Sequence, residues 1–239
     1  MTEPLNLFFS RNVDIEKAYI ITVKGHGPSE TLSQRCQLSC ANVGMPFEVW
    51  DAFDGIASQN IITPQHSVDD SVMRMLKITD HYMTRGEVAC ALSHISLWVH
   101  CAKTDKPIVI LEHDAIMVNA FKTMNAYNSI VYLGGSEWAE KNWPIYHIPP
   151  HASEGPNWLF LCRAHAYAID PVMAKNLIAH VLKLGIHAPL DIMLRADLFN
   201  ITHHGLFAYD KNINTTSDTT IKARPFEGRT TIRNDNLSV

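Results

Sequence analysis

The sequence predicts an α/β domain with a mostly parallel sheet flanked by helices. The segment 18–23, AYIITV, consists of β-branched and aromatic residues that are typical of a strand. A helical stretch over 30–42 and a second strand over 47–52, FEVWDA, follow directly. A strand, a helix and a strand in this order predict a βαβ unit, in which the helix packs on a pair of parallel strands.

Length and composition limit the class of protein and its partners. A chain of 239 residues with 46% hydrophobic content can bury one substantial core. Its 20 basic and 24 acidic residues give a formal charge of -4 without a basic block, so we expect no nucleic-acid partner. Because the composition turns polar near the end, we predict a single domain over 1–222 and a polar tail over 223–239.

Cysteine usage and hydropathy indicate the compartment. The chain has five cysteines and no C-x-x-C motif, which favours reduced thiols over a disulfide framework. Cys36 and Cys40 lie one helical turn apart and could form a metal pair, although buried apolar thiols are the simpler interpretation. No segment resembles a signal peptide or a transmembrane helix. We therefore expect a soluble, cytoplasmic protein, and peripheral membrane contact stays open.

A capping box marks the start of the clearest helix. Thr84 and Glu87 have the S/T-x-x-E spacing, so we expect the helix to begin at Thr84 or one residue later. An apolar stripe with helical period follows, formed by Val88, Ala91, Leu92, Ile95, Val99 and Ala102. Glu87, His94, Trp98 and Cys101 lie on an adjacent face, which leaves little surface for solvent. The pattern by itself favours a core histidine at His94, packed near Trp98.

The strand after this helix ends in three polar residues. In KPIVILEHDA, Glu112, His113 and Asp114 follow the apolar run, at the carboxyl end of the strand, where ligands bind in open α/β sheets. Carboxylates hold Mg²⁺ or Mn²⁺ beside substrate phosphates, and Asp114 is the better ligand candidate. Glu112 and Asp114 would share a face if the strand continued that far. The alternative is that both acids only cap a solvated strand end.

Further elements complete the predicted α/β order. Strands are predicted over 130–135 and 157–169, and a late strand over 201–209. A helix should begin after the N-cap Asp170 with Pro171 and end near Leu184, before Gly185. A shorter helix is predicted over 189–199.

Two of these late segments carry candidate functional residues. Asp191 lies in the first turn of the shorter helix, where it suits either a general base or an ordinary helix N-terminal acid. His203 and His204 could complete a Mn²⁺ site or form a surface pair without a ligand. An aromatic loop could stack on a sugar ring or belong to the core; its residues are Trp138, Trp143, Tyr146 and Trp158.

Taken together, these segments resemble glycosyltransferase family 25, which includes bacterial lipooligosaccharide sugar transferases and the procollagen galactosyltransferase domain. The most specific block is MTRGEVACALSHISLW, over 83–98, which is similar to the family's LTxGExGCxLSHxxLW. KPIVILEHDA stands where the family has xPxLILEDDA. Weaker similarities are AYIITV with Arg35 and the DAFDG turn, AHAYAIDPVMAKNLI, and PLDIML, which resembles the family's P-x-D-x-x-L element. The resemblance spans roughly residues 18–221.

The resemblance implies a fold and an activity. The fold would be of the GT-A type, which is Rossmann-like. The donor would be a nucleotide sugar, typically a UDP-hexose such as UDP-galactose or UDP-glucose, and the acceptor a hydroxyl of a glycan or another molecule. A divalent cation, often Mn²⁺, would bridge the diphosphate to the acidic motif, and transfer would proceed with inversion.

The resemblance also implies roles for particular residues. Those implied to hold the metal are Asp114, Glu112 and His113, with His203 or His204 as a further ligand. Those implied to contact the nucleotide sugar are Thr22, Val23, Arg35, Asp51, Asp54, Ser93 and Glu112. Those implied to act in catalysis are Asp191, as the base that deprotonates the acceptor, together with Glu87 and His94.

One departure from the family pattern leaves alternatives open. The middle acid of the family's motif is His113 here, which removes a negative charge and suits Mn²⁺ better than Mg²⁺. A non-catalytic relative that binds a nucleotide sugar or a glycan is therefore the second interpretation. A metal-dependent phosphoester hydrolase is the third; the acids alone permit it, but the block at 83–98 argues against it.

Overall fold

The structure, a computed structural model, describes residues 12–58, 60–79, 83–125, 129–135, 146–147 and 164–210. The predicted tail at 223–239 lies outside these residues. So do Trp138, Trp143, Trp158 and Cys162, together with most of the strand predicted over 157–169.

The described residues form ten strands and five α-helices. The strands are β1 (Asn12–Asp14), β2 (Ala18–Thr22), β3 (Phe47–Asp51), β4 (Ile108–Glu112), β5 (Ala115–Met117), β6 (Thr123–Asn125), β7 (Ile130–Gly135), β8 (Tyr146–His147), β9 (Ala166–Ile169) and β10 (Ile201–Asp210). The helices are α1 (Gly27–Val43), α2 (Ser71–Met75), α3 (Arg85–Thr104), α4 (Pro171–Leu184) and α5 (Leu190–Met193), with a 3-10 helix at Gln65–Ser67.

The main sheet is mixed, with the strand order β3-β2-β4-β9-β7-β10-β5 and β8 paired to β10. β2 is parallel to both β3 and β4, and β10 is parallel to β7. β9 is antiparallel to both of its neighbours, and β5 and β8 are antiparallel to β10. The α/β class is confirmed, but the mostly parallel sheet is not, because a short, fully buried strand such as β9 carries the same apolar pattern in either direction.

Apolar side chains cover both faces of the sheet. Tyr19 and Ile21 of β2 belong to a core shared with α3 and α4, while Ala18 and Ile20 belong to a second core shared with α1 and β5. The same alternation continues through β4 and β9, as the period of a strand requires. The sheet is therefore a buried middle layer, and its strand ends carry the polar chemistry.

The helix α3 forms as its sequence predicts. Thr84 is the N-cap, and the Thr84 and Glu87 side chains make both hydrogen bonds of the capping box. Asp105 ends the helix in the left-handed conformation. His94 and Trp98 are fully buried, so the face next to the apolar stripe is packed too.

The later helices agree with the prediction in part. Asp170 caps α4, which runs to Leu184 and is followed by Gly185 at positive φ. The shorter helix ends at Met193 rather than near residue 199, because Leu194 leaves the helical conformation with ψ 85°. Among the described residues, no helix has both the length and the apolar character that crossing a bilayer requires.

We expect Asp170→Ala to destabilise the fold strongly, because the buried Asp170 carboxylate serves two elements. One oxygen accepts from the N–H groups of Val172 and Met173 at 2.8 and 2.9 Å, and the other accepts from the backbone and hydroxyl of Ser129. Loss of the cap costs about 1 kcal/mol, and an unsatisfied buried N–H adds roughly 1–3 kcal/mol.

Asp70→Ala is the control for urea unfolding, since Asp70 caps the five-residue helix α2 with the same two-bond pattern, while its other oxygen pairs with the exposed Lys103 and not with a buried group. We expect it to cost about 1 kcal/mol, the value of a cap at a less buried position. Equal losses for the two variants would contradict the role assigned to the Ser129 contact.

Candidate functional site

A pocket lies where the loops after β2, β3 and β4 meet the first half of α3. It encloses about 600 Å³, part of which is open solvent. The apolar lining includes Ile21, Val23, Phe53 and Ile56, and the polar lining consists of Cys90, Ser93, His94, Glu112, His113 and Asp114. Within the described chain, no Lys or Arg side chain lines this pocket.

Contacts between the first βα loop and the end of β4 close one side of the pocket. Ser29, in the first turn of α1, accepts a hydrogen bond from the Val23 N–H at 3.0 Å, and its hydroxyl lies 3.3 Å from Nδ1 of His113. Both Ser29 and His113 are buried. Through these two contacts, Ser29 holds the carboxyl ends of β2 and β4 next to each other.

The chain turns directly after β4. Glu112 is the last strand residue, and His113 and Asp114 form a turn, so the strand does not continue far enough for the expected alternation. All three residues nevertheless line the pocket. Arg35 of α1 donates from Nη2 to the backbone carbonyl of Asp114 at 3.1 Å, which supports the turn from the other face of the sheet.

The loop after β3 forms the opposite wall. Oδ1 of Asp54 accepts from the N–H groups of Ile56 and Ala57 at 2.7 and 3.1 Å, which bends the chain sharply. Ser93 accepts from the Phe53 N–H at 2.9 Å and joins this loop to α3. A Cβ on Gly55 would come within 2.6 Å of the Arg85 carbonyl oxygen, so the backbone approach depends on glycine there.

A chain of buried polar groups reaches the pocket from the core. Trp98 donates from Nε1 to Oη of Tyr167 at 3.0 Å, and the same oxygen lies 2.9 Å from Nδ1 of His94. Nε2 of His94 lies 3.4 Å from Oε1 of Glu112. Nε2 makes no well-aligned hydrogen bond to that oxygen. Sγ of Cys90 lies 3.8 Å from the same Glu112 oxygen.

Two ionisable groups of this cluster have shifted pKa values. Burial disfavours the charge of Glu112, but the contact with His94 and the nearby His113 and His165 together hold the Glu112 pKa below its usual value. Burial, followed by the negative charges of Glu112, Asp191 and Asp114, raises the pKa of the Cys90 thiol well above its usual range. The carboxylates of three separate elements therefore act on one thiol.

The structure brings together several residues that the sequence analysis singled out. Val23, Ser93, His94, Glu112, His113 and Asp114 all line the pocket. Asp191 is not among the lining residues, but its charge acts on Cys90, so it lies nearby. His94 is also the packed core histidine that its helical pattern favoured, since it is fully buried and contacts Tyr167.

Other candidate residues have structural contacts elsewhere. Thr22 pairs with the Ser33 hydroxyl at 2.7 Å on the α1 side of the sheet, and Glu87 accepts from the Thr84 N–H in the capping box. Nζ of Lys24 lies 3.7 Å from Oδ2 of Asp51 at the end of β3. Their roles towards a donor or in catalysis stay predictions.

The histidine pair lies on a different strand. His203 and His204 belong to β10, and β9 and β7 separate that strand from β4. Their side chains, and that of Tyr146 on β8, lie outside the described residues. A role for either histidine as a metal ligand stays a prediction.

The sequence analysis assigned no role in the site to Cys90 or Tyr167. Cys90 and His94 are spaced i, i+4 on α3, the same spacing that drew attention to Cys36 and Cys40. Cys36 and Cys40 are buried in the core on the α1 side of the sheet. The i, i+4 spacing could have found Cys90, whereas the contact of Tyr167 with His94 depends on how β9 packs against α3.

Comparison with known proteins supplies the context for this pocket. The sequence model of glycosyltransferase family 25, described as LPS biosynthesis protein, matches residues 16–144. No curated protein matches the chain. The matched range covers more than half of the 239 residues and includes every residue named above as lining the pocket. On this evidence, the chain belongs to glycosyltransferase family 25.

Proposed function

We propose that this glycosyltransferase moves a hexose, galactose or glucose, from a UDP-sugar to a hydroxyl of a glycan or another acceptor, with inversion. The observation that carries the proposal is the joint position of Glu112, His113 and Asp114 in one pocket of a family 25 chain. The pairing of β2 with β3 and β4, all parallel, is compatible with a sheet of the GT-A type.

The lining of the pocket supports a nucleotide-sugar donor. Ile21, Val23, Phe53 and Ile56 offer apolar surface to a base or a sugar ring, while the acids lie together at the end of β4. A diphosphate beside Glu112 and Asp114 would meet like charge, so a cation between them is required.

Mn²⁺ is the ion that we propose at the end of β4. Carboxylates of Glu112 and Asp114 with the imidazole of His113 combine oxygen and nitrogen ligands, which Mn²⁺ accepts more readily than Mg²⁺ does. When bound, such an ion supplies positive charge that stabilises the departing UDP. His203 and His204 are further candidates for the same ion.

The remaining roles belong to the protein's own side chains. Asp191 is the proposed base: it accepts the proton of the acceptor hydroxyl as that oxygen attacks the sugar on the face opposite the departing UDP. The similarity of PLDIML to the family's P-x-D-x-x-L element supports this assignment. Arg35 positions the Asp114 turn, and Asp54 and Ser93 shape the wall against which the donor lies.

We expect UDP-galactose or UDP-glucose with Mn²⁺ to raise the melting temperature, because a ligand that binds only the folded state stabilises it. UDP release from the matching donor should occur in the wild type and be lost in Asp114→Ala. Glu48→Ala is the control, since Glu48 is an exposed acid on β3 paired with Lys17. A melting shift without UDP release would indicate a non-catalytic binding protein, and no shift with any nucleotide sugar would contradict both interpretations.

For Asp191→Asn we expect kcat to fall about 10²–10⁴-fold, the usual contribution of a general base, with donor binding retained. Steady-state UDP release and the donor-induced melting shift separate the two effects. Asp197→Asn is the control, because Asp197 lies in the following turn and is bound by Arg195. Full turnover in Asp191→Asn would assign the base elsewhere without affecting the reaction class.

His113→Asp should strengthen the cation site, because it restores a third carboxylate beside Glu112 and Asp114. We expect half-maximal activity at a lower Mn²⁺ concentration and a larger relative activity with Mg²⁺. Cation titrations of wild type and variant measure both effects. Unchanged Mn²⁺ and Mg²⁺ responses would show that residue 113 does not contact the ion.

A further inference from the structure

Three potential metal ligands converge at the inner end of the pocket. Sγ of Cys90, Nε2 of His94 and one carboxylate oxygen of Glu112 all lie within 4.8 Å of one another. Cys90 and His94 are one turn apart on α3 and so face the same way, while Glu112 reaches them from the last position of β4. Two rigid elements therefore hold the three donors.

The distances are close to those of a tetrahedral metal site. Zinc binds sulfur at about 2.3 Å and nitrogen or oxygen at about 2.0–2.2 Å, so ligand atoms around it lie roughly 3.3–3.7 Å apart. Oε1 of Glu112 lies 3.4 Å from Nε2 of His94 and 3.8 Å from Sγ of Cys90. Small side-chain rotations would admit an ion without moving the backbone.

His94 makes, through Nδ1, the second contact that metal-bound histidines usually make. Its ring is fully buried, and Nδ1 lies 2.9 Å from Oη of Tyr167, which Trp98 in turn holds in place. Nε2 makes no well-aligned hydrogen bond with any described residue and faces Glu112. A fixed partner on one ring nitrogen and a ligand position on the other is the usual arrangement at metal sites.

The charges of the pocket favour a cation at this point. Two carboxylates, those of Glu112 and Asp114, line the pocket beside the Cys90 thiol. No Lys or Arg among the described pocket-lining residues offsets them. A divalent ion would neutralise one thiolate and one carboxylate together, and a bound metal deprotonates a coordinating thiol.

We propose that Cys90, His94 and Glu112 bind a divalent ion of the zinc class, Zn²⁺ or Co²⁺, with a fourth coordination position that faces the pocket. Three protein ligands of mixed S, N and O type with an open position are the pattern of zinc sites that contact a ligand or water. Glu112 would serve both ions, whereas Cys90 and His94 belong to this site alone, and His113 and Asp114 belong to the Mn²⁺ site proposed above.

Cobalt titration of the full chain tests the site, because a cobalt thiolate gives a near-UV charge-transfer band and tetrahedral Co²⁺ gives intense visible bands. After chelator treatment and dialysis, we expect one equivalent of Co²⁺ to produce the near-UV band and the visible bands. Added Zn²⁺ should displace the Co²⁺ and abolish these bands. Cys90→Ser should lose the near-UV band, and Glu112→Gln should weaken Co²⁺ binding. Tyr167→Phe should weaken it about 10–100-fold, as expected for loss of an outer-sphere partner.

Cys101→Ser is the matched control, since Cys101 is a buried thiol on the same helix whose Sγ lies 3.2 Å from the Lys106 carbonyl oxygen. It should keep both bands. Asp114→Ala should also keep them while losing transfer, which separates failure of this site from failure of the proposed function. If Cys90→Ser does not fold, Glu112→Gln carries the test by its Co²⁺ affinity.

Three outcomes would overturn the proposal. One is a wild-type spectrum without a thiolate band. Another is an unchanged band in Cys90→Ser. The third is a band that disappears in Cys36→Ser instead, which would place the metal at the Cys36 and Cys40 pair.

Discussion

The packing of α3 beside the carboxyl end of β4 is the constraint on which the pocket depends. It brings Cys90 and His94 against Glu112, while Ser93 on the same helix holds the loop after β3. Tyr167 lies on β9, the strand paired with β4, and its hydroxyl contacts both His94 and Trp98 of α3. Cys90, His94 and Glu112 are therefore carried by a packed helix and a buried strand, which limits how far they can move.

The pocket is lined by acidic side chains, and none of its described lining residues is a Lys or Arg. Glu112 and Asp114 lie at one strand end, and Asp191 acts on the same region from a later helix. Phosphate groups beside such a cluster meet like charge, which is why the proposed reaction includes a cation with the donor. His113 reduces this charge by one relative to the family's acidic motif, while its contact with Ser29 ties the first βα loop to the site.

The predictable part of the fold was encoded by local signals. The capping box at Thr84, the Asp170–Pro171 helix start and the apolar strand at β4 each depend on neighbours in sequence, and each forms where the pattern indicates. The direction of β9 and the early end of α5 were not predictable in this way. A four-residue buried strand pairs equally well in either direction, so its neighbours in the sheet decide.

The sequence by itself determined the α/β class, the acidic strand end at Glu112 to Asp114 and the family block around His94, because each is written in contiguous residues. Only the tertiary structure decided that Cys90, His94 and Glu112 share one point, that Arg35 supports the Asp114 turn, and that Glu87 serves a helix cap. The reason is physical: spacing along a helix or strand fixes which way a side chain faces, but contacts between elements depend on how the layers pack.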